Sequence, residues 1–151
     1  MLFRSKKEIM ECIAPLGNVY QAGTLSGNPV AMIAGYTLLN ELKNNPSIYS
    51  ELNEKTLLLK KRMTEAFENN KIPVQINQLG SMISVHFTNE PVIDFASSAR
   101  SEQNRFRLFF HHMLQAGVYL PPSAFESWFL NNALSPVDID KTLEAVSGFK
   151  L

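Results

Sequence analysis

The chain has 151 residues, of which 45% are hydrophobic and 19% charged, a composition typical of one globular domain. Fourteen basic and fourteen acidic side chains cancel, so no overall field attracts nucleic acid or an anionic membrane surface. A single cysteine, Cys12, excludes an internal disulfide, and no apolar run approaches the ~20 residues of a membrane helix. The apolar run in the opening MLFRSKK is too short for a secretory signal, so we expect a soluble cytoplasmic protein.

Two helices are predicted in the first half of the chain. Asn28 and Pro29 form a cap-plus-proline start, and apolar residues then recur at spacings of three and four until Asn44-Asn45-Pro46 interrupts them. A longer helix is predicted from about Pro46 to Phe67.

The second half alternates between strands and helices. Val74 and Ile76, then Met82 to Phe87, predict two strands around Gly80, either as a hairpin or as neighbours in a sheet. Ser101 is predicted to cap a phenylalanine-rich helix that stops at Gly117, followed by a short buried strand, Val118-Tyr119-Leu120. Ser135-Pro136 begins a last helix towards Phe149. The order predicts a small α/β or α+β layer.

The stretch GTLSGNPVAM, Gly23 to Met32, places glycines and hydroxyls at the entry of a predicted helix. Unpaired amides at such an entry attract anions, and glycines allow the backbone to approach them closely. The alternative is that Ser26 and Asn28 only cap the helix, which from spacing alone is the commoner case. Neither GxxxxGKS nor GxGxxG is present, so neither nucleotide-binding fingerprint applies.

A resemblance to a known family favours the interpretation that this stretch binds an anion. The run VYQAGTLSGNPVAMIAG resembles the aminomutases that act on glutamate 1-semialdehyde, within the class-III aminotransferase group of pyridoxal-phosphate enzymes. Four further segments resemble the same family in order and spacing: KKEIM, NQLGSMISVHFTNEPV, RFRLFFHHMLQAGVYLPPSAFE and SPVDIDKTLEA. The GVYLPPSAFE segment favours the aminomutases over other members of the group.

The resemblance implies a C-terminal portion of a fold-type-I pyridoxal-phosphate transferase that works as a homodimer. It implies that Gly23 and Thr24 bind the phosphate of pyridoxal 5'-phosphate held by the neighbouring subunit. Residues 1–45 would form the edge of the large cofactor domain and an interdomain helix. Residues 46–151 would form the small C-terminal domain, a few-stranded sheet with helices on one face. The implied reaction is intramolecular amino transfer, giving 5-aminolevulinate for tetrapyrrole synthesis.

The resemblance also implies that this chain lacks the lysine that binds the cofactor covalently. In the family that lysine precedes the segment matching Lys6-Lys7, and the lysines present lie in charged or helix-surface contexts: Lys6, Lys7, Lys43, Lys55, Lys60, Lys61 and Lys71. We therefore expect no catalytic residue in this chain and no activity from it alone. Two alternatives stay open, a fragment of another class-III aminotransferase and a non-catalytic interaction module.

Three further residues are candidates for the substrate pocket. The resemblance places Glu126 near the substrate, where the carboxylate helps to bind it, and Ser81 at the border of the active-site region. Tyr20 is a candidate to line the cleft because it precedes the phosphate motif. The alternatives are that Glu126 is an exposed loop acid, that Ser81 is a turn residue and that Tyr20 packs in an interface. Two departures from the family, the bulky Trp128 and Leu134 where histidine is common, predict a changed substrate end of the pocket.

No metal site is expected. His111 and His112 are adjacent and point about 100° apart on a helix, so they do not bind one ion together. His86 stands alone in a predicted strand. The stripe of Phe106, Phe109 and Phe110 has helical spacing and is predicted to be core.

Overall fold

The computed structural model describes residues 5–151. The first four residues of the opening MLFRSKK, from which the absence of a secretory signal was predicted, lie outside that range. The chain divides into two compact units, one ending at Asn45 and the other running Pro46–Leu151. Their assignment to the edge of a large domain and to a small domain stays a prediction. In residues 5–151, no helix is both long and apolar enough to cross a membrane.

The first unit contains two helices, α1 (Lys7–Met10) and α2 (Pro29–Asn44). The predicted start of α2 is confirmed, because the Asn28 side chain accepts hydrogen bonds from the backbone N–H groups of Val30 and Ala31 at 3.0 and 3.2 Å. No residue of α2 is buried.

The second unit is built on a long helix, α3 (Ser47–Asn69), which confirms the second predicted helix and extends it by two residues. Leu59, Met63 and Phe67 of α3 are buried and lie at helical spacing. Helix α3 packs against the first two strands of the sheet and against the last helix. The core of this unit therefore lies between α3 and one face of the sheet.

The sheet has three antiparallel strands, β1 (Gln75–Leu79), β2 (Met82–His86) and β3 (Trp128–Phe129), in the order β1-β2-β3. The first two form the predicted hairpin, and Gly80 has a φ of 58°, the conformation that a two-residue hairpin turn needs at its first central position. Strand β3 was not predicted. It pairs with the first two residues of β2, so that Met82 lies opposite Phe129 and Ile83 lies opposite Trp128.

The predicted strand Val118-Tyr119-Leu120 is wrong. Helix α5 (Gln103–Gln115) ends in a Schellman motif, in which the N–H of Val118 donates to the carbonyl of Met113 and that of Gly117 to Leu114. Gly117, with a φ of 83°, is the predicted stop. Since the cap uses the Val118 amide, the chain continues as a loop in which Leu120 is buried and Tyr119 is exposed.

The predicted cap at Ser101 is also wrong. A short helix that was not predicted, α4 (Phe95–Ala99), precedes it and is capped by Asp94, whose carboxylate accepts from the backbone N–H of Ser97 at 2.7 Å. The Ser101 hydroxyl donates instead to the carbonyl of Ser98 at 2.7 Å, and α5 begins two residues later. The serine therefore closes α4 and does not open α5.

The last helix, α6 (Pro136–Gly148), starts as predicted, with a reciprocal capping box between Ser135 and Asp138. It packs against α3 and α5. Four phenylalanines from different segments meet in the core with centroid separations of 5.2 to 6.1 Å, namely Phe67, Phe87, Phe109 and Phe149. Of the predicted phenylalanine stripe, Phe106 and Phe109 are buried and Phe110 is half-buried.

The two faces of the sheet differ in what covers them. By the strand register, one face carries the buried side chains of Ile76, Ile83, Val85 and Trp128. The opposite face, here called the open face, carries Gln75, Asn77, Leu79, Met82, Ser84, His86 and Phe129. Most of these are exposed or half-buried, and His86 is the buried one. The fold is thus a mixed α+β unit, as predicted, with its helical core on one side of a small sheet.

Candidate functional site

The segment before α2 forms two consecutive tight turns. The N–H of Ser26 donates to the carbonyl of Gly23 at 2.8 Å, and that of Asn28 donates to Leu25 at 3.1 Å. Gly27 has a φ of 75°, which a glycine adopts without strain. A Cβ added to Gly23 would collide with the Ser26 hydroxyl, so the compact first turn favours glycine there.

These turns separate two groups of backbone amides. The Asn28 side chain accepts hydrogen bonds from the N–H groups of Val30 and Ala31 at the helix start. This is the capping role that the sequence analysis gave as the alternative to anion binding. The N–H groups of Gly23 and Thr24 and the Thr24 hydroxyl donate to no other residue within 5–151. Both residues are exposed. An anion arriving from solvent therefore finds donors in the turn, although the helix start itself is already capped.

Tyr20 lies three residues before this turn, and its side chain is 83% exposed. Its predicted place at the edge of a substrate pocket stays a prediction. It shares the first unit with Gly23 and Thr24, whereas Ser81 and Glu126 belong to the second unit.

Glu126 lies in the loop that leads into β3. Its carboxylate accepts a hydrogen bond from the N–H of Ser123 at 3.3 Å, and its own N–H donates to the carbonyl of Ser123 at 3.1 Å. The side chain is exposed and lines an open cleft of about 430 Å³ together with Pro121, Pro122, Ser127 and Phe129. The local turn holds the carboxylate at the surface with acceptor capacity to spare.

Ser81 is the second central residue of the β1–β2 turn, and its carbonyl accepts the N–H of Leu130 at 2.9 Å. This bond fixes the chain that leaves β3 against the turn. Among residues 5–151, Ser81 does not line the cleft that contains Glu126. The contact shown for Ser81 is structural, and its role beside a substrate stays a prediction.

The predicted effect of Trp128 on the substrate end of the pocket is wrong. Trp128 is 7% exposed and stacks on Phe109 within the core, because β3 turns alternate side chains to opposite faces. Its neighbour Phe129, 65% exposed, is the residue that faces the cleft. Leu134, the other departure, is half-buried and packs against the same core.

A polar centre on the open face was missed from the sequence. The His86 ring lies between two hydroxyls, with Nε2 at 3.2 Å from the Ser84 oxygen and Nδ1 at 3.3 Å from the Ser98 oxygen. Burial lowers the pKa of His86, because the charged imidazole loses solvation. These side chains, with Asn77 and Asp94, line a cleft of about 300 Å³. The sequence signal that could have revealed this polar centre is the alternation of polar and apolar residues along the strands.

None of the lysines in residues 5–151 is buried. Lys55, predicted to be a solvated surface residue, is half-buried and donates to the carbonyls of Leu134 and Asn132 at 2.7 and 3.3 Å. It anchors the loop between β3 and α6. The same range holds no group of three His, Cys, Asp or Glu side chains placed to bind a metal ion.

Residues 2–137 match the family model described as aminotransferase class-III. The chain belongs to the class-III aminotransferase family. Glutamate-1-semialdehyde 2,1-aminomutase of Flavobacterium johnsoniae is 49% identical over 144 residues, which are 95% of this chain and 34% of that protein. This class-III chain therefore spans about a third of the length of its relative, and it corresponds to the C-terminal portion.

Solved structures share the fold of this class-III chain. An omega-transaminase from Sphaerobacter thermophilus matches with a TM-score of 0.72 and 22% identity, over 94% of this chain and 33% of the solved one. A transaminase with PLP bound matches with a TM-score of 0.66 and 17% identity, over 93% of this chain and 32% of the other. In both, the shared fold is one part of a chain about three times as long.

Proposed function

We propose that this chain is the C-terminal portion of a pyridoxal-phosphate enzyme that converts glutamate 1-semialdehyde to 5-aminolevulinate by moving an amino group within one molecule. The observation that carries the proposal is the 49% identity to an aminomutase across 95% of the chain. The transaminases that share the fold are only 17 and 22% identical, so they support the architecture and not a substrate.

Gly23 and Thr24 are proposed to bind the cofactor phosphate of a neighbouring subunit in a homodimer. Three features of the turn fit a phosphate: backbone N–H groups of exposed residues, a Thr24 hydroxyl that donates to no other residue within 5–151, and a glycine that presents no side chain. The helix start contributes less than its position suggests, because Asn28 already uses the first amides of α2. The proposed contact is therefore a turn with a hydroxyl, assisted by the positive end of the helix dipole.

Pyridoxal phosphate supplies an electron sink for the negative charge that develops at the reacting carbon of the substrate. The resemblance to the family implies that the lysine that binds it precedes the segment matching Lys6-Lys7, and we therefore assign the cofactor lysine to the portion of the longer protein before this chain. The lysines of residues 5–151, none of which is buried, agree with this assignment. This chain alone is proposed to be inactive.

Glu126 is proposed to accept a hydrogen bond from the amino group of the substrate. Its carboxylate stands at the surface of a cleft, next to Ser127 and Phe129, and uses one local hydrogen bond to Ser123. Because Trp128 lies in the core, the side chains beside Glu126 in this cleft leave room for a small substrate. The position of Trp128 is therefore compatible with the aminomutase substrate, whereas the absence of histidine at Leu134 is still a departure from the family.

A chimera tests the proposal. This chain would replace the matching C-terminal third of the Flavobacterium johnsoniae aminomutase, which serves as the positive control. We expect the chimera to convert glutamate 1-semialdehyde without an external amino donor, and Glu126→Gln to reduce that turnover. A folded, cofactor-loaded chimera that reacts only with an external amine would instead support the other class-III aminotransferases. A folded chimera without either activity would favour a non-catalytic interaction module.

A further inference from the structure

The cleft of about 300 Å³ around His86, here called the His86 cleft, combines two exposed aromatic rings with a carboxylate. The rings of Phe95 and Phe125, 75 and 50% exposed, lie 5.5 Å apart with 36° between their planes. Asp94 directly precedes Phe95 and lines the same cleft. Because the face of an aromatic ring carries negative potential, rings beside a carboxylate attract a positively charged group.

Two oxygen atoms of residues lining the His86 cleft are left free to accept hydrogen bonds. The N–H and the hydroxyl of Ser97 both donate to Oδ1 of Asp94, at 2.7 and 2.6 Å, and no residue within 5–151 donates to Oδ2. Asn77 donates through Nδ2 to the carbonyl of Val92 at 2.8 Å, which leaves its Oδ1 as an acceptor. A ligand that brings N–H groups therefore suits these oxygens better than one that brings only acceptors.

No positive side chain opposes a cation in the His86 cleft. None of the described residues that line it is a lysine or an arginine. Burial lowers the pKa of His86, so its ring is neutral at about pH 7.5, and both ring nitrogens already face the hydroxyls of Ser84 and Ser98. Arg100 lines a different cleft, where it lies 4.0 Å from a carboxylate oxygen of Glu90.

We propose that the His86 cleft binds the ammonium group of a small aliphatic amine. Asp94 Oδ2 and Asn77 Oδ1 accept its N–H hydrogens. The rings of Phe95 and Phe125 face its charge. The ligand is a primary amine, because a quaternary ammonium group has no hydrogens for the two oxygens. Glu126 lines another cleft and has no part in this site, so the inference goes beyond the proposed function and does not rest on it.

An NMR titration of the isolated chain with n-butylammonium chloride tests the site. The signals of Asn77, Phe95 and Phe125 should shift and saturate, with a dissociation constant in the millimolar range. Two matched probes are titrated at the same ionic strength. n-Butanol has a similar length without the charge, and sodium butyrate carries the opposite charge. Each should shift these signals about fivefold less at the same concentration.

Two variants separate the carboxylate from the rings. Asp94→Asn removes the charge but keeps a side chain that caps helices equally well, and it should weaken butylammonium binding about three- to fivefold. Phe125→Leu keeps an apolar side chain without an aromatic face and should weaken binding about threefold. Glu144→Gln removes an exposed carboxylate of α6 outside the cleft, and as the matched control it should leave the dissociation constant unchanged.

Three results would overturn the inference. Equal shifts with butylammonium and butanol would show that the cleft takes up any apolar chain. Shifts that rise linearly without saturating, and that also appear around Glu144, would show a general attraction of cations to surface acids. An unchanged dissociation constant in both Asp94→Asn and Phe125→Leu would place the amine elsewhere. Each of these results leaves aminomutase turnover by the chimera unaffected, so the proposed function is tested separately.

Discussion

The indole of Trp128 lies over the ring of Phe109, with 6.4 Å between ring centroids and 17° between ring planes. The pairing of Trp128 with Ile83 across β3 and β2 sets this contact, because it turns both side chains to the buried face. It also turns Phe129 outward. Two adjacent aromatic residues thus have opposite roles, one in the core and one on the open face.

Removing the Trp128 side chain should destabilise the fold strongly. We expect Trp128→Ala to lower the free energy of unfolding by about 3–5 kcal/mol, as for a buried aromatic residue. Trp128→Phe should cost less than about 1.5 kcal/mol, because it also removes an indole N–H that is buried without an acceptor in residues 5–151. Urea unfolding of the isolated chain measures both values.

Phe129→Ala is the matched control for the Trp128 variants, since it truncates the neighbouring aromatic residue of the same strand. With a side chain that is 65% exposed, it should change the free energy of unfolding by no more than about 0.5 kcal/mol. A loss as large as that of Trp128→Ala would show that the assignment of the two faces is reversed.

Lys55 should stabilise the fold through hydrogen bonds to backbone carbonyls. Its ammonium group donates to the carbonyls of Leu134 and Asn132, which holds the loop before α6 against α3. Lys55→Met keeps most of the aliphatic stem and removes the donors, so we expect a loss of about 1–2 kcal/mol in urea unfolding. Lys61→Met, at an exposed position of the same helix, is the control and should be nearly neutral. Equal effects of the two substitutions would contradict the anchoring role.

Mild acid should destabilise the second unit through His86. Its pKa in the folded chain lies below the ordinary 6.5 because burial disfavours the charged ring. The unfolded chain therefore binds the proton more readily, so stability is complete above pH 6.5 and is lost as the pH falls from there towards the folded pKa. The Asp94 carboxylate lines the same cleft, and its negative charge opposes this effect.

Unfolding free energies at about pH 7.5 and about pH 5.5 would measure the His86 effect. We expect His86→Gln to reduce the difference between the two values. His111→Gln removes an exposed histidine of α5 and should leave the difference almost unchanged. If both variants retain the full difference, the loss of stability in mild acid has another source.

The elements with strong local signals were predictable from the sequence, and those set by distant contacts were not. Asn28-Pro29 and Ser135-Pro136 start helices because their caps are made within three residues. Strand β3 has only two residues and exists because β2 offers an unpaired edge, so no periodicity marks it. At Val118, the helix cap took the amide that a strand would have needed.

The same distinction applies to the candidate site. The exposure of Gly23 and Thr24 follows from their turn, which is local, and the motif pointed to it. The direction of the Trp128 side chain depends on pairing with a strand some forty-five residues earlier, so the sequence suggested the wrong pocket wall. The Ser84, His86 and Ser98 cluster also needs the fold, because it joins β2 to α4.

The Thr24 hydroxyl should contribute to cofactor affinity in the chimera. A hydrogen bond to a doubly charged phosphate is worth about 1.5–3 kcal/mol, so Thr24→Val should weaken pyridoxal-phosphate binding by about 10- to 100-fold. Thr24→Ser, which keeps the hydroxyl, should restore most of the affinity. Thr37→Val removes an exposed hydroxyl from α2 and serves as the matched control. Titration of the cofactor against recovered activity gives each dissociation constant. Because Asn28 already caps α2, a phosphate that depends on the helix start alone would bind equally well to the Thr24→Val protein, and that result would remove the turn from the proposed site.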